Sequence, residues 1–259
     1  MRVVSWNLNW WNRRPERVTR ASMIASHDAD IVLLQEVSGS IAKSLRESHS
    51  GPSVFSQELH AGATWRWMGC ALLVRDGGRI IASGVVAGLP KPQRGLWARV
   101  ELPTGQTLSA VSWHTPNAAG DGRVTKMAAY KTMSEWLVSE AHPLLVGADL
   151  NTWVDPIDLA APDRADGFYE EHEFVGPAPK HGLVDAYRTI LERDGSLDAM
   201  RADDHVGPLA VSYRLKDGSE HRMDRIFASP DLVPISGGYD FVGAESAGSD
   251  HALHWIDFE

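Results

Sequence analysis

The sequence predicts an α/β protein in which mixed β-sheets pack as a sandwich, and three features of its pattern carry that reading. First, two short apolar runs, Ile31-Val-Leu-Leu34 and Leu144-Leu-Val146, have the look of strands buried on both faces. Second, helical periodicity recurs at 16–27, 38–48, 121–141 and 183–193, between the strand-like segments. Third, segments near 53–59, 66–75, 79–87, 96–102 and 107–114 read as antiparallel strands, with Asp76-Gly77-Gly78 as a hairpin turn. Strands that both alternate with helices and run in meanders call for mixed sheets covered by helices. No repeat, low-complexity tract or shift in composition marks a linker, so residues 1–259 are expected to form a single domain.

In order along the chain, residues 2–8 read as a strand ending at the polar Asn7, followed by a loop from Trp10 to Pro15. Helix 16–27 carries Val18, Ala21, Ile24 and Ala25 on one face. A buried strand over 30–36 ends in Glu36, and helix 38–48 precedes the five strands of the meander. Helix 121–141 has the apolar stripe Met127, Tyr130, Met133, Trp136 and Leu137. Strand 143–149 ends in Asp149, and residues 155–182, rich in Pro, Gly, Asp and Glu, read as an irregular insertion. Helix 183–193 stops at Asp194-Gly195 and a loop runs to about 209. Strands follow near 210–215, 220–229, 238–243 and 252–258.

Composition narrows the function. At 43% hydrophobic and 23% charged, the 259 residues have the balance of a soluble globular protein. Acids outnumber Lys and Arg by 34 to 25, a net charge of −9, so no broad basic face for wrapping nucleic acid is expected. The one cysteine, Cys70, excludes an internal disulfide framework and permits a reducing compartment. Val3-Val-Ser-Trp6 follows the first two residues as strand rather than signal peptide, and no apolar run approaches the roughly 20 residues of a membrane span. These features point to the cytoplasm. Ten tryptophans are unusual, and Trp10, Trp11, Trp65, Trp67 and Trp153 fall near predicted loops, where they can stack on a base or pack a loop onto the body.

The polar residues recur in a pattern. Strand after strand ends in a side chain able to bind metal or phosphate: Asn7, Glu36, His114, Asp149 with Asn151, Asp224, and Asp250 with His251. Each taken singly has a commonplace reading as a turn residue, a cap or a surface ion pair. Those readings do not explain why the residues recur at strand ends. The ends of strands in one sheet lie side by side, so these residues can converge on one rim. Carboxylates, amides and imidazoles without a thiolate suit a hard cation such as Mg²⁺ or Mn²⁺. A histidine beside a carboxylate can take a proton from water near neutral pH.

In order, Ser-Trp-Asn-Leu, Leu-Leu-Gln-Glu-Val, Ser-Trp-His-Thr-Pro-Asn, Gly-Ala-Asp-Leu-Asn, His-Arg-Met-Asp-Arg-Ile-Phe and Gly-Ser-Asp-His resemble the motifs of the endonuclease/exonuclease/phosphatase family. The resemblance spans residues 3 to 255. It implies a four-layer α/β sandwich, two packed mixed sheets flanked by helices, and Mg²⁺- or Mn²⁺-dependent hydrolysis of a phosphoester by in-line attack of water. By the same resemblance Glu36 is the principal metal ligand, with Asn7 beside it and Asp250 an outer or second ligand. Asp149 positions the attacking water or a second metal, and Asn151 holds a phosphate oxygen. His251 is the general base, oriented by Asp224. Ala148 lengthens the family's usual Gly-Asp step by one residue.

His114 separates the branches of the family. Endonucleases of the exonuclease III type carry a tyrosine there, whereas pancreatic-type deoxyribonucleases, neutral sphingomyelinases and inositol-polyphosphate phosphatases carry histidine. An imidazole titrating near pH 6.5 is expected to neutralise the phosphate when protonated. The Pro-Asn that follows echoes the repair branch. Lys91 and Arg94, in Pro90-Lys-Pro-Gln-Arg-Gly95, form the one loop cluster placed to reach a substrate anion. The expected substrate is a phosphoester, either a nucleic acid or a small phosphodiester. A phosphatase or a lipid phosphodiesterase on the same fold is the alternative. A non-catalytic binding module would have lost ligands, and here every expected position is filled.

Overall fold

The computed structural model describes residues 1–9, 19–60, 68–152, 169–176, 179–203, 205 and 207–259. Two six-stranded sheets pack against each other. The first runs β13 (Pro234–Asp240), β14 (Leu253–Phe258), β1 (Arg2–Asn7), β2 (Ile31–Val37), β4 (Gly69–Val74) and β3 (Ser53–Phe55). The second runs β5 (Arg79–Val85), β6 (Gly95–Glu101), β7 (Thr107–His114), β8 (Leu144–Asp149), β12 (Asp224–Ala228) and β9 (Val184–Asp185). Each sheet has one parallel pair, β1 with β2 and β7 with β8, and every other pairing among these strands is antiparallel. Parallel neighbours need a helical crossover. α1 (Arg20–Ser26) serves the first pair, and α4 (Ala118–Asp121) with α5 (Arg123–Ser139) serves the second.

Alternation along the strands builds the four layers. Val3, Ile31, Leu33 and Leu72 of the first sheet meet Ala98, Leu108, Ala110, Leu145 and Ile226 of the second in the central core. The intervening residues face outward. Val4, Trp6, Val32 and Leu34 pack on α1, α2 (Gly39–Ser48) and α9 (Phe241–Ser246). Val111, Trp113, Val146 and Ala148 pack on α5 and α6 (Tyr169–Val175). Gly147 sits where the sheets come closest: a Cβ there would lie 2.7 Å from the side chains of both Leu33 and Ser5. Across this gap Gln35 donates to Ser112 Oγ at 3.0 Å and to the Gly147 carbonyl at 3.2 Å. Among the described residues no helix is long and apolar enough to cross a membrane.

Several boundaries differ from the sequence reading. The strand expected over 53–59 stops at Phe55, and α3 (Ser56–Leu59) follows, because Ser56 Oγ turns inward to bond the Gln93 carbonyl and the Cys70 amide. Helix 121–141 is two helices, broken at Gly122 with φ +88°. The expected loop after residue 194 contains α8 (Ser196–Ala202). Helix 183–193 starts as α7 (Ala186–Arg193), after Asp185 has closed β9 and capped the Arg188 amide. The strand placed at 238–243 lies earlier, at β13, since Asp240 caps α9 through the Gly243 amide. Of the strand placed near 210–215, only β10 (Tyr213–Arg214) forms. It pairs with β11 (Glu220–His221) as a separate hairpin, so the strand expected at 220–229 is interrupted before Asp224. Helix 16–27 is seen from Arg20 onward. Most of the predicted 155–182 insertion, and Trp10, Trp11, Trp65, Trp67 and Trp153, lie outside the described residues.

Candidate active site

The strand phase that builds the core also delivers the polar residues. Asn7 continues the inward set Val3, Ser5; His114 continues Leu108, Ala110, Ser112; Asp149 continues Leu145, Gly147. Since β1, β7 and β8 end at these residues, the apolar set of each strand gives way to a polar one at a single rim. His114, Asp149 and Asp224 are register partners across β7, β8 and β12. Asp224 opens its strand rather than ending it, because β12 runs antiparallel to β8. His251 likewise precedes β14, which runs antiparallel to β1. The expectation that every site residue ends a strand is thus corrected for these two. Antiparallel strands start where their neighbours finish.

Glu36 breaks the alternation. Its strand phase would turn it toward the helices with Val32 and Leu34, but its backbone is left-handed at φ +54°. The register of β2 against β4 shifts between Leu34 and Val37 at the same place. This bulge brings the carboxylate into the site, where Glu36 Oε1 lies 3.7 Å from His114 Nε2. Asn151, also left-handed at φ +48°, has its amide on Asp149 Oδ1 at 3.0 Å and donates its Nδ2 to the Thr115 carbonyl at 2.9 Å.

The centre of the site is one oxygen, Asp149 Oδ2. Asn7 Nδ2 donates to it at 2.8 Å, and the Nε2 atoms of His114 and His251 stand 3.6 and 3.9 Å away. His251 Nδ1 is 2.9 Å from Asp224 Oδ2, which orients the ring and leaves Nε2 facing the cleft. The turn holding His251 is stapled by Ser249, whose Oγ donates to the Asn7 carbonyl at 2.7 Å and accepts from the His251 amide at 3.1 Å. Asp250 is half exposed at the edge, with Oδ1 4.0 Å from His251 Nε2.

Electrostatics follow from burial in a cluster of acids. Burial, with the charges of Asp149 and Asp250, pushes the Glu36 carboxyl up to about 7 against the pull of His251 and Asn7. Burial also opposes charge on His251, but Asp224, Asp149 and Asp250 outweigh it and lift the imidazole to about 10. Burial takes His114 down to about 4. His114 is therefore a neutral imidazole at physiological pH, which corrects the expectation that it titrates near 6.5 and meets the phosphate as a cation.

The donor set fits a hard divalent cation. Atoms of Asp149, Asp224 and His251 lie within 4.8 Å of one another. With His251 Nδ1 engaged by Asp224, its Nε2 and the Asp149 carboxylate are the atoms of this group that face the cleft. Buried carboxylates this close repel one another unless a cation offsets them. Asn7 spends its Nδ2 on Asp149 and its Oδ1 on the Asn9 amide at 2.9 Å, so in this arrangement it orients Asp149.

A cleft of about 750 Å³ opens over these groups and is bordered by Arg94, Asp121, Tyr213 and Met223. Arg94 Nη1 binds Asp121 Oδ2 at 2.8 Å, and Lys91 Nζ lies 3.6 Å from Oδ1. Both basic residues of the loop cluster are thus paired with one acid, and only Arg94 borders the cleft among the described residues. Sequence reasoning missed Lys126, which donates to the Asn151 carbonyl at 2.8 Å and pairs with the buried Glu171. The signal was present: Lys126 falls in phase with Tyr130, Met133 and Leu137, a charge inside an apolar stripe. It also missed Tyr213, whose ring lies 4.7 Å from that of His251.

Residues 4–251 match the Endonuclease/Exonuclease/phosphatase family. No curated protein matches the chain. Among solved structures, the 3′ phosphatase NExo from Neisseria bound to product DNA hairpin superposes with a TM-score of 0.74 at 17% identity, covering 100% of this chain and 99% of that one. The Xenopus laevis APE2 catalytic domain gives 0.71 at 19% identity, covering 100% and 91%. The Bacteroides thetaiotaomicron mannosyl-6-phosphatase gives 0.67 at 16% identity, covering 100% and 99%. The fold is shared across these structures, and the match over nearly the whole chain decides the affiliation: this protein belongs to the Endonuclease/Exonuclease/phosphatase family.

Proposed function

We propose that the protein is a divalent-metal-dependent phosphoesterase in which His251 removes the proton from the attacking water. The observation that carries this reading is the His251–Asp224 pair set beside Asp149 at the floor of the cleft. A histidine held by a carboxylate through Nδ1 presents Nε2 as the proton acceptor. Glu36 and Asp250 would hold Mg²⁺ or Mn²⁺, while Asp149, oriented by Asn7, accepts from the water and Asn151 donates to a phosphate oxygen. When bound, the cation offsets charge on the non-bridging oxygens and lowers the pKa of water. His251, cationic among uncompensated carboxylates, becomes a competent base once their charge is offset. Neutral His114 donates a hydrogen bond to the phosphate or the leaving oxygen. The water oxygen forms the new bond to phosphorus, the ester P–O bond breaks, and the water proton passes to His251.

Residues 1–259 act in this reading as one domain. The relatives' printed names cover a DNA hairpin product and a mannosyl phosphate, so both nucleic-acid and small-molecule esters belong in the test. Turnover of a phosphoester panel with Mg²⁺ or Mn²⁺, its loss in EDTA, and a roughly 10²- to 10⁴-fold drop in His251→Ala are expected. Metal-independent turnover, or near-native rates in His251→Ala with unchanged circular dichroism, would overturn the assignment.

A further inference from the structure

We propose that Arg94 is a phosphate-recognition residue of this cleft and that it selects a terminal phosphate, a phosphomonoester dianion, over an internal phosphodiester. The inference rests on the phosphoesterase reading and narrows its substrate. Arg94 closes a single 3₁₀ turn, Pro92–Arg94, which fixes its backbone beside the last residues of β7. Its side chain is 11% exposed and borders the cleft with Glu36, His114 and Asp149. Among the described residues that line this cleft it is the only Lys or Arg.

Two features distinguish Arg94 from an ordinary structural arginine. Nη1 is held by Asp121, yet Nε is buried with no hydrogen-bond partner among the described residues. A buried guanidinium N–H left unpaired is costly, and a small swing onto a phosphate would pair it in the bidentate geometry that guanidinium favours. The second feature is the charge behind it. Asp121 also draws Lys91, so the basic cluster is backed by a carboxylate, and the cleft wall there is Ala118, Ala119 and Gly120.

Those features favour an ester with one terminal phosphate. A phosphomonoester carries about 1.5 to 2 negative charges at neutral pH, so it gains more from a second cation than the single charge of a diester does. Arg94 therefore answers the extra charge of the terminal phosphate.

The test compares nitrophenyl phosphate and a 3′-phosphorylated oligonucleotide with bis(nitrophenyl) phosphate and the same oligonucleotide lacking the terminal phosphate, all in saturating Mn²⁺. Wild type should prefer the monoesters. Arg94→Met should raise KM for monoesters about 10- to 100-fold and for diesters by a clearly smaller factor, and Arg94→Lys should recover part of the loss. Asp121→Asn covers the case in which Arg94→Met does not fold, and by releasing Nη1 it should sharpen the preference for monoesters. Equal losses on both classes, a wild type that prefers diesters, or no shift in selectivity in Asp121→Asn would overturn the proposal. Failure of the parent reading looks different: no metal-dependent turnover of any ester by wild type, or turnover indifferent to His251→Ala.

Discussion

Glu36 is held at φ +54° in a strand, and its carboxyl is pushed up to about 7 chiefly by burial. Both the backbone and the charge are kept there against their own preference, as residues at functional sites often are. Glu36→Gln keeps the shape and removes the charge, so without metal it should melt higher than wild type. Wild type should gain stability from Mg²⁺ or Mn²⁺, by about 2.7 kcal/mol at a hundredfold excess over the dissociation constant. Glu36→Gln should gain much less. Melting curves in EDTA and in millimolar metal check both arms. At this scale the sequence was informative where alternation holds, since Asn7, His114 and Asp149 lie in phase with their strands. It named Glu36 without the bulge that delivers it, because a left-handed glutamate leaves no mark in residue type. The charge state of His114 was misjudged because the burial that sets it comes from both sheets.

At the scale of one helix, α5 grips the turn that follows Asp149. Lys126 Nζ bonds the Asn151 carbonyl at 2.8 Å, and one turn on, Tyr130 Oη donates to the Leu150 carbonyl at 2.6 Å. These bonds hold the segment whose left-handed Asn151 reaches the site. Lys126→Met would break the buried ion pair with Glu171, a loss on the order of 3–5 kcal/mol. Tyr130→Phe should cost about 0.5–1.5 kcal/mol. Denaturant melts should rank them in that order, and Lys126→Met should lower kcat as well, since the carbonyl it anchors belongs to Asn151. A stable, fully active Lys126→Met would remove the helix from the account. Helix existence was legible in the apolar stripe, whereas the caps at Asp185 and Asp240 were read as strand or helix interior, because a capping acid looks like any polar residue until its amide partner is placed.

For the whole molecule, acid stability should be governed by histidines buried without charge. Burial lowers His181 to about 4 and His254 to about 3. His254 stacks on Tyr239 at 4.0 Å, and among the described residues neither of its ring nitrogens has a hydrogen-bond partner. Both pKa values are depressed in the folded state, so their neutral forms cost nothing above about pH 6.5, the unfolded value. As pH falls below 6.5 the unfolded chain binds protons that the folded chain refuses, and stability drops until the folded values near 4 and 3 are reached. These two histidines should therefore lower the melting temperature from about pH 6.5 downward, against the opposite pull of Glu36, and His254→Phe, which keeps the stacking and loses the titration, should decline less steeply. An unchanged slope in that variant would assign the acid sensitivity elsewhere. The sheet order was not legible at this scale, because which strands become neighbours depends on contacts far apart in sequence. The two-layer core was legible, since apolar alternation needs a second sheet to face.

Asn7, Glu36 and His251 come from one sheet or the turn leading into it, and His114, Asp149 and Asp224 come from the other. The reaction is thus a gauge of the gap between the sheets, read across a seam that Gln35 bolts with its bonds to Ser112 and Gly147. Loosening the seam by an ångström would part His251 from Asp224 while every strand kept its own ladder. Mild denaturant should then silence turnover before it reduces far-ultraviolet circular dichroism, and Gln35→Leu should widen the interval between the two midpoints.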